Sequence, residues 1–296
     1  MVQVGWQTEE EMIVAILALY PDLDPSGFCF HRQGWDSVAI EAGGRSIFKF
    51  PKTAAAQAAL QREAALLRLI RPRVSLPVPA MRLHGEDAVF SEHALIPGDH
   101  LLTAGYDALG PADRDTLAAT LARFYRDLHR IAPADAKAAG VQALPPWMDA
   151  DGIARRALPL LAPGIRARAT VALDLYRALG PDPLGSCLGY FDGHGWNMAF
   201  DHKKRRLNGI YDFADAGIGP VHQEFIYASF ISFELSERLM AAYEALTRSS
   251  LDRRRIWVLT GVHRLWELAE MADDPDHGPT MQAGVEAWAA SVTGAP

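Results

Sequence analysis

Three residues that suit phosphoryl transfer lie close together along the chain. Asp192 precedes Asn197 by five residues in Gly-Tyr-Phe-Asp-Gly-His-Gly-Trp-Asn, and Asp212 follows in Tyr-Asp-Phe-Ala-Asp. Phosphoryl transfer from a nucleotide needs one carboxylate that orients the attacking hydroxyl and accepts its proton, and further oxygens that hold magnesium at the phosphates. An Asp and an Asn on one tight loop can converge with an Asp that ends a neighbouring strand. The pattern therefore predicts a site for this chemistry.

A lysine and a glutamate upstream could supply the grip on the phosphates. Lys49 lies in the strand-like run 46–50, and Glu63 follows fourteen residues later on a helix predicted to reach residue 69. Kinase-like sites hold the α and β phosphates with a strand lysine that a helix glutamate orients. The turn 34–37, Gly-Trp-Asp-Ser, could cover those phosphates. An Asp-x4-Asn pair alone arises by chance, so the prediction depends on the whole ordered set.

The elements around these residues change character near residues 92–98. Before that point the patterns predict helices at 9–19 and 53–69, and strands at 28–32, 37–41, 46–50, 80–83 and 88–90. Beyond it they predict helices at 113–131 and 165–179, a hairpin of 197–201 with 207–213, and mainly helix from 224 onward. We therefore expect an α+β chain with an N-terminal lobe at 1–94 and a helical lobe at 95–296.

Composition narrows the classes of protein that fit. The chain has 296 residues, 49% hydrophobic and 22% charged, which is typical of a globular protein. The formal net charge of −7 argues against a nucleic-acid partner. Two cysteines, Cys29 and Cys187, fit a reducing cytoplasm. The acidic start and an apolar run of only nine residues, 12–20, favour a cytoplasmic protein with no secretory signal and no membrane partner.

The ordered motifs resemble those of the aminoglycoside phosphotransferase family. They are Phe-Lys-Phe-Pro-Lys at 48–52, the helix glutamate, Leu-Pro-Val-Pro at 76–79, Ile-Pro-Gly at 96–98, the helical segment 121–129, Asp-x4-Asn and Asp-Phe-x-Asp. The resemblance covers roughly residues 28–225, and the N-terminal part looks closest to the aminoglycoside 2″-phosphotransferases. It implies a bilobal protein-kinase-like fold, with a small antiparallel sheet carrying one helix and a larger, mainly helical lobe.

The resemblance also implies a role for each matching residue. Asp192 would be the catalytic base, and Asn197 and Asp212 would bind Mg²⁺. ATP or GTP would be the phosphate donor, and the sequence does not choose between them. The residues implied in nucleotide binding are Lys49, Glu63, Ser37 of the phosphate-covering turn, and Glu92, His93 and Leu95 of a hinge whose backbone meets the base.

Three departures from the family pattern affect loop geometry. Tyr190 and Phe191 stand where the family usually has His-Gly before the catalytic Asp, and Ala214 stands where many relatives have glycine. The phosphate-covering turn has glycine only at Gly34. The departures at Tyr190 and Ala214 motivate an alternative hypothesis, a catalytically silent nucleotide-binding or scaffold protein. The intact set of Asp, Asn and Asp argues against it.

The acidic end of the chain points to a cationic acceptor. Residues 222–296 carry 11 acidic and 6 basic side chains. The resemblance implies an aminoglycoside or a similar polyamine-like acceptor, because relatives hold the antibiotic's amino groups with carboxylates in this region. Each glutamate could instead belong to a solvent-exposed helix face, and a metabolic kinase of choline, homoserine or an amino sugar is the nearest alternative. The candidate substrate residues are Asp215, Glu234, Glu237, Trp266 and Glu270.

Overall fold

A five-stranded antiparallel sheet forms the first part of the chain. The computed structural model describes residues 5–32, 34 and 36–291. The strand order is β1-β2-β3-β5-β4, and β3 lies at the centre. The strands are β1 (Cys29–His31), β2 (Ser37–Ala42), β3 (Ser46–Pro51), β4 (Arg82–His84) and β5 (Phe90–Ala94).

Two helices lie on opposite faces of this sheet. Helix α1 (Glu9–Leu19) buries Met12 and Ile16 in one cluster with Phe48, Phe50 and Phe90. Helix α2 (Ala54–Ile70) lies on the other face, because Lys49 alternates with those phenylalanines along β3 and meets Glu63 of α2. Thr53 caps α2, accepting a hydrogen bond from the Ala56 N–H. The sheet thus points Lys49 toward α2.

Helices dominate the remainder of the chain. Two short antiparallel pairs are embedded among them, β6 with β9 and β7 with β8. These strands are β6 (Ser186–Gly189), β7 (Met198–Asp201), β8 (Arg206–Ile210) and β9 (Gly217–Pro220). The helices are α3 (Thr103–Asp107), α4 (Pro111–His129), α5 (Pro133–Ala138), α6 (Ala150–Ala157), α7 (Pro163–Ala178), α8 (Phe233–Thr247), α9 (Arg253–Glu270) and α10 (Gly278–Ala290). Within the described ranges, no helix is long and apolar enough to cross a membrane.

The structure confirms the helices predicted in the first third and shifts several strands. The last strand of the sheet runs from Phe90 to Ala94, beyond the predicted 88–90, because it pairs with β3 on one side and β4 on the other. The predicted strand 207–213 ends at Ile210, since Asp212 has φ of +64°. The pair of β6 with β9 was not predicted, because two of the four residues of β9 are glycines. The lobe boundary after residue 94 stays a prediction.

The last two helices form a core of their own with α6 and α7. Trp288 of α10 is fully buried, and its indole N–H donates to the Trp257 carbonyl of α9 at 3.0 Å. Gly261 of α9 faces this indole so closely that a Cβ there would overlap the ring. A glycine is therefore needed in the middle of α9, despite its low helix propensity.

We expect Gly261→Ala to destabilise the protein by about 1–3 kcal/mol, because the added methyl group has no space against Trp288. Thermal unfolding followed by circular dichroism measures the effect. Gly164→Ala is the matched control: no atom lies within 4 Å of the added Cβ in the first turn of α7. Its Tm should stay the same or rise slightly. Equal Tm values for the two variants would contradict the packing of α9 on α10.

Candidate active site

A cluster of three charged side chains joins the sheet, α2 and the segment after β8. The Lys49 Nζ lies 3.1 Å from Asp212 Oδ1 and 3.5 Å from Glu63 Oε1. Glu63 is buried, and its Oε1 also accepts the Phe213 N–H at 2.9 Å. The structure therefore brings together three of the residues predicted from the sequence, although Asp212 lies 163 positions beyond Lys49.

The environment keeps the lysine charged. Burial by itself lowers the pKa of Lys49, but the carboxylates of Glu63 and Asp212 outweigh burial, so the net pKa is raised. The same attraction to Lys49 lowers the pKa of Asp212. Burial raises the pKa of Glu63, and the positive charge of Lys49 opposes this rise. Lys49 is thus a fixed positive charge at neutral pH.

The candidate catalytic residue Asp192 is held by two neighbours on its own loop. Asn197 Nδ2 donates to Asp192 Oδ2 at 2.5 Å and to the Asp192 carbonyl at 3.2 Å. His194 Nε2 lies 3.0 Å from Asp192 Oδ1. Burial lowers the pKa of His194, whereas the hydrogen bond and charge of Asp192 raise it, with a net rise. The Asn197 carbonyl accepts the Tyr211 N–H at 3.1 Å, which ties this loop to the residue before Asp212.

A fully buried glutamate supports the loop from behind, and sequence reasoning missed its role. The Glu224 carboxylate accepts the N–H groups of Tyr190 at 2.8 Å and Phe191 at 3.1 Å. Phe191 has φ of +54°, an unusual backbone for a bulky residue that needs such external support. His129 Nε2 lies 3.6 Å from the same carboxylate. An acidic residue within the apolar run Glu-Phe-Ile-Tyr was the available signal.

Tyr190, which departs from the family's histidine, makes a bond that joins the two halves of the site. Its hydroxyl donates to the Tyr211 carbonyl at 2.5 Å, and its ring centroid lies 4.7 Å from that of Phe213. Ala214 is also accommodated, because the left-handed residue of this segment is Asp212, so position 214 has no need of glycine. Both replacements therefore fit the geometry of the loop.

A second lysine holds Gly34, the first residue of the turn predicted to cover the phosphates. Lys52 Nζ donates to the Gly34 carbonyl at 2.5 Å and to the Arg32 carbonyl at 3.3 Å. Ser37, the last residue of this turn, is also the first residue of β2. Gln33 and Trp35 lie outside the described residues, and of these two only Trp35 belongs to the predicted turn.

The predicted hinge residues divide between the two faces of β5. Glu92 points toward α1: its carboxylate accepts the Tyr20 hydroxyl at 2.7 Å and lies 3.1 Å from His84 Nε2. His93 lies on the same face as Lys49, and burial lowers its pKa to about 4. The Leu95 N–H donates to the Arg45 carbonyl at 2.7 Å. The Glu92 side chain and the Leu95 amide are thus engaged within the protein.

A cavity of about 800 Å³ opens beside Asp192. Its far wall is aromatic, with Trp147 and Trp266 nearly parallel at a centroid distance of 6.3 Å. Two further carboxylates line this wall. Glu267 forms an ion pair with Arg264 at 3.0 Å and lies 3.5 Å from His263 Nδ1, whereas Glu270 accepts the Trp266 indole N–H at 3.2 Å. Together with Asp192 and Asp215, these residues make the cavity acidic; the predicted substrate residues that line it are Asp215, Trp266 and Glu270.

Two predicted substrate residues lie on α8, away from this cavity. Glu234 forms ion pairs with Arg114 and Arg238. Glu237 lies 3.8 Å from Arg253, and, among the residues that the structure describes, none of α8 lines the cavity. The packing of α8 against α4 brings Glu234 to Arg114 of α4, whereas Glu237 lies near Arg253 at the start of α9.

The sequence and the fold both match known phosphotransferases. The model of a family described as "Phosphotransferase enzyme family" matches residues 28–257. No curated protein matches the chain. Among solved structures, wild-type aminoglycoside 2′-phosphotransferase-IIIa in its GDP complex has a TM-score of 0.79 at 21% identity, covering 96% of this chain and 99% of that one.

Two further structures share the fold at lower identity. The streptomycin–ATP ternary complex of APH(2″)-IIa has a TM-score of 0.64 at 18% identity, covering 97% of each chain. A macrolide 2′-phosphotransferase from Brachybacterium faecium has a TM-score of 0.65 at 17% identity, covering 93% of this chain and 98% of that one. These matches establish the protein-kinase-like fold.

We expect Tyr190→Phe to lower kcat several-fold and leave the KM for nucleotide nearly unchanged. The variant keeps the ring but loses the hydrogen bond to the Tyr211 carbonyl, worth about 0.5–1.5 kcal/mol. Tyr190→His tests whether an imidazole restores the bond. Steady-state kinetics are compared with Tyr20→Phe, which loses a hydroxyl bond to Glu92 on the α1 side of the sheet. A kcat for Tyr190→Phe equal to that of Tyr20→Phe would contradict a positioning role.

The raised pKa of the Asp215 carboxyl group leads us to expect that the stability of the protein depends on pH. Burial, Asp192, Asp212 and Asp36 raise its pKa to about 6, so its ionisation opposes folding. Asp215→Asn should therefore raise Tm above pH 6, and this gain should shrink as the pH falls toward 4, because Asp215 is then protonated in the native state and increasingly protonated in the unfolded state. Since the side chain also contacts water, we expect at most about 1 kcal/mol, a rise of roughly 2–4 °C. Nucleotide-free thermal scans from pH 4 to 8 measure it; a constant Tm difference across this range would refute the shift.

Proposed function

This chain belongs to the phosphotransferase enzyme family, and from that premise we propose that it transfers the γ-phosphate of ATP or GTP to a hydroxyl group of a small cationic molecule. The observation that carries the proposal is the convergence of the Lys49 charge cluster and the Asp192–Asn197 pair beside one acidic cavity. GDP and ATP occur in the related structures, which supports a purine nucleotide as donor.

The residues of the site have distinct roles in the proposed reaction. Lys49 binds the α and β phosphates, and Glu63 holds its ammonium group in place. Asp192 orients the acceptor hydroxyl and takes its proton as the oxygen attacks the γ phosphorus. One O–P bond forms, the bond to the bridging β–γ oxygen breaks, and the nucleoside diphosphate leaves.

The residues present fit a magnesium ion at the phosphates. Asn197 donates its two side-chain hydrogen bonds to Asp192 through Nδ2, which leaves Oδ1 for a cation. Asp212 has one carboxylate oxygen on Lys49 and a half-exposed side chain. This all-oxygen pair suits Mg²⁺, which usually takes one or two protein ligands, with phosphates and water completing its shell. The ion would neutralise charge on the transferred phosphate. Among the described residues, no larger cluster of acidic, His or Cys side chains offers a separate metal site.

The lining of the cavity supports a cationic acceptor with some apolar surface. In contrast to Glu267, which Arg264 neutralises, Asp215 and Glu270 form no ion pair within the described part of the chain, and they line the same cavity as Trp147 and Trp266. An amine beside a carboxylate and an aromatic face is stabilised by charge and by cation–π attraction. Aminoglycosides are the first candidates, as with the streptomycin complex of a related enzyme. Because the wall is aromatic, an amine-bearing macrolide is a second candidate, and choline, homoserine and amino sugars remain metabolic alternatives.

A catalytically silent protein is the alternative from a different class. The departures at Tyr190 and Ala214 motivate it. Against it stand the Tyr190 hydrogen bond to the Tyr211 carbonyl and the left-handed backbone at Asp212, which meet the needs of the loop without the family's residues.

We expect Asp192→Asn to lower kcat at least about 100-fold while nucleotide affinity changes less than two-fold. The amide keeps the size of the side chain and cannot accept the hydroxyl proton. Phosphate transfer is followed by mass spectrometry of the acceptor, and nucleotide binding by calorimetry. Asp174→Asn, at an exposed ion pair with Arg177, is the matched control and should behave as wild type. Full turnover by Asp192→Asn would rule out Asp192 as the base.

The acceptor is identified with a panel of aminoglycosides, macrolides, choline, homoserine, amino sugars and uncharged polyols. Nucleotide consumption is coupled to a spectroscopic assay, with ATP and GTP tested separately. The proposal expects turnover only with amine-bearing acceptors. Nucleotide binding without phosphate transfer to any of them would favour the silent alternative.

A further inference from the structure

One histidine of β5 lies between the phosphate-binding lysine and the end of the strand. Strand alternation puts His93 on the same face as Lys49, because Ile47 pairs with His93 and Lys49 pairs with Ser91. A nucleotide whose phosphates contact Lys49 and whose base reaches the strand end at Ala94 must pass His93. The role of His93 rests on the proposed function, which supplies the nucleotide.

The backbone at the strand end presents an acceptor to the base. Ala94 pairs with Ser46, and the neighbouring Leu95 N–H donates to the Arg45 carbonyl, so the polar groups of Ala94 point away from β3. On that side β4 begins at Arg82, opposite Glu92, and does not extend to Ala94. The Ala94 carbonyl therefore keeps a lone pair for a ligand beside the bond that it accepts from His93.

The hydrogen bond to Ala94 fixes which nitrogen of His93 carries the proton. His93 Nδ1 lies 3.0 Å from the Ala94 carbonyl, and a carbonyl oxygen can only accept, so Nδ1 is the donor. The neutral ring then has a lone pair on Nε2. Nε2 has no hydrogen-bond partner within the described part of the chain. It is also not among the buried, unpartnered side-chain atoms that are shielded from solvent. Burial lowers the pKa of His93 to about 4, which keeps the ring neutral at physiological pH.

We propose that His93 selects a 6-aminopurine nucleotide as phosphate donor, because His93 Nε2 and the Ala94 carbonyl form a pair of acceptors for the two protons of the 6-amino group. A 6-oxopurine presents a lone pair at the same position. His93 Nε2 and the Ala94 carbonyl would then face the 6-oxo oxygen of the base. All three atoms are acceptors, so no hydrogen bond could form between them. Rotating the ring to offer a donor would break the bond to Ala94. The site therefore favours adenine over guanine.

The test compares the binding of ADP, GDP and IDP to the full chain by isothermal titration calorimetry, without an acceptor. IDP has the 6-oxo group of guanine but lacks its 2-amino group, so it isolates the 6-position. We expect ADP to bind at least ten-fold more tightly than either GDP or IDP. Binding of GDP or IDP as tight as that of ADP would overturn the inference and leave the proposed function standing. Failure of all three to bind would overturn both.

Substitutions then assign the preference to His93. His93→Gln should reduce the ADP-to-GDP affinity ratio at least five-fold, because an amide can turn its NH₂ toward a 6-oxo group. His93→Leu should weaken ADP without improving GDP. His84→Gln is the matched control, since His84 contacts Glu92 on the opposite face of the sheet, and its ratio should equal that of wild type. An unchanged ratio in folded His93→Gln would refute the role of His93. If that variant fails to fold, His93→Leu tests the same role, and an ADP affinity equal to that of wild type would refute it.

Discussion

The cluster of Lys49, Glu63 and Asp212 is the interaction on which the arrangement of the site depends. Its charges come from β3, α2 and the segment after β8, and burying any one of them without the others would be expensive. Glu63 also accepts the Phe213 N–H, so it fixes both the lysine and the backbone beside Asp212. This one set of contacts therefore fixes the positions of the sheet, α2 and the segment after β8 relative to one another.

A second buried carboxylate has the same effect on the loop that carries the candidate catalytic residue Asp192. Glu224 binds two consecutive backbone amides before Asp192, and the Tyr190 hydroxyl joins that loop to the residue before Asp212. The two candidate halves of the metal site are thus positioned by hydrogen bonds outside the cavity. Tyr190, which replaces the histidine of the family pattern, makes this link through its hydroxyl group.

The acidic side chains in the last quarter of the chain lie in two different environments. On α9, Glu270 faces the cavity, and Glu267 lies beside it with Arg264 and His263. On α8, Glu234 and Glu237 pair with arginines instead. Counting charges predicted an acidic region but could not distinguish these helices, because both carry two glutamates at helical spacing. Which pair reaches the cavity depends on how each helix packs against its neighbours.

The sequence alone determined the elements whose causes are local. The cap of α2 at Thr53 and the periodicity of α1 depend on near neighbours in the chain, and the order of Lys49, Glu63, Asp192, Asn197 and Asp212 is read directly from the sequence. The extent of β5, the pairing of β6 with β9, and the supporting contacts of Glu224 and Tyr190 were decided only by the tertiary structure. The reason is that each of these needs a partner distant in sequence, and neither residue type nor spacing specifies which distant group will come within hydrogen-bonding distance.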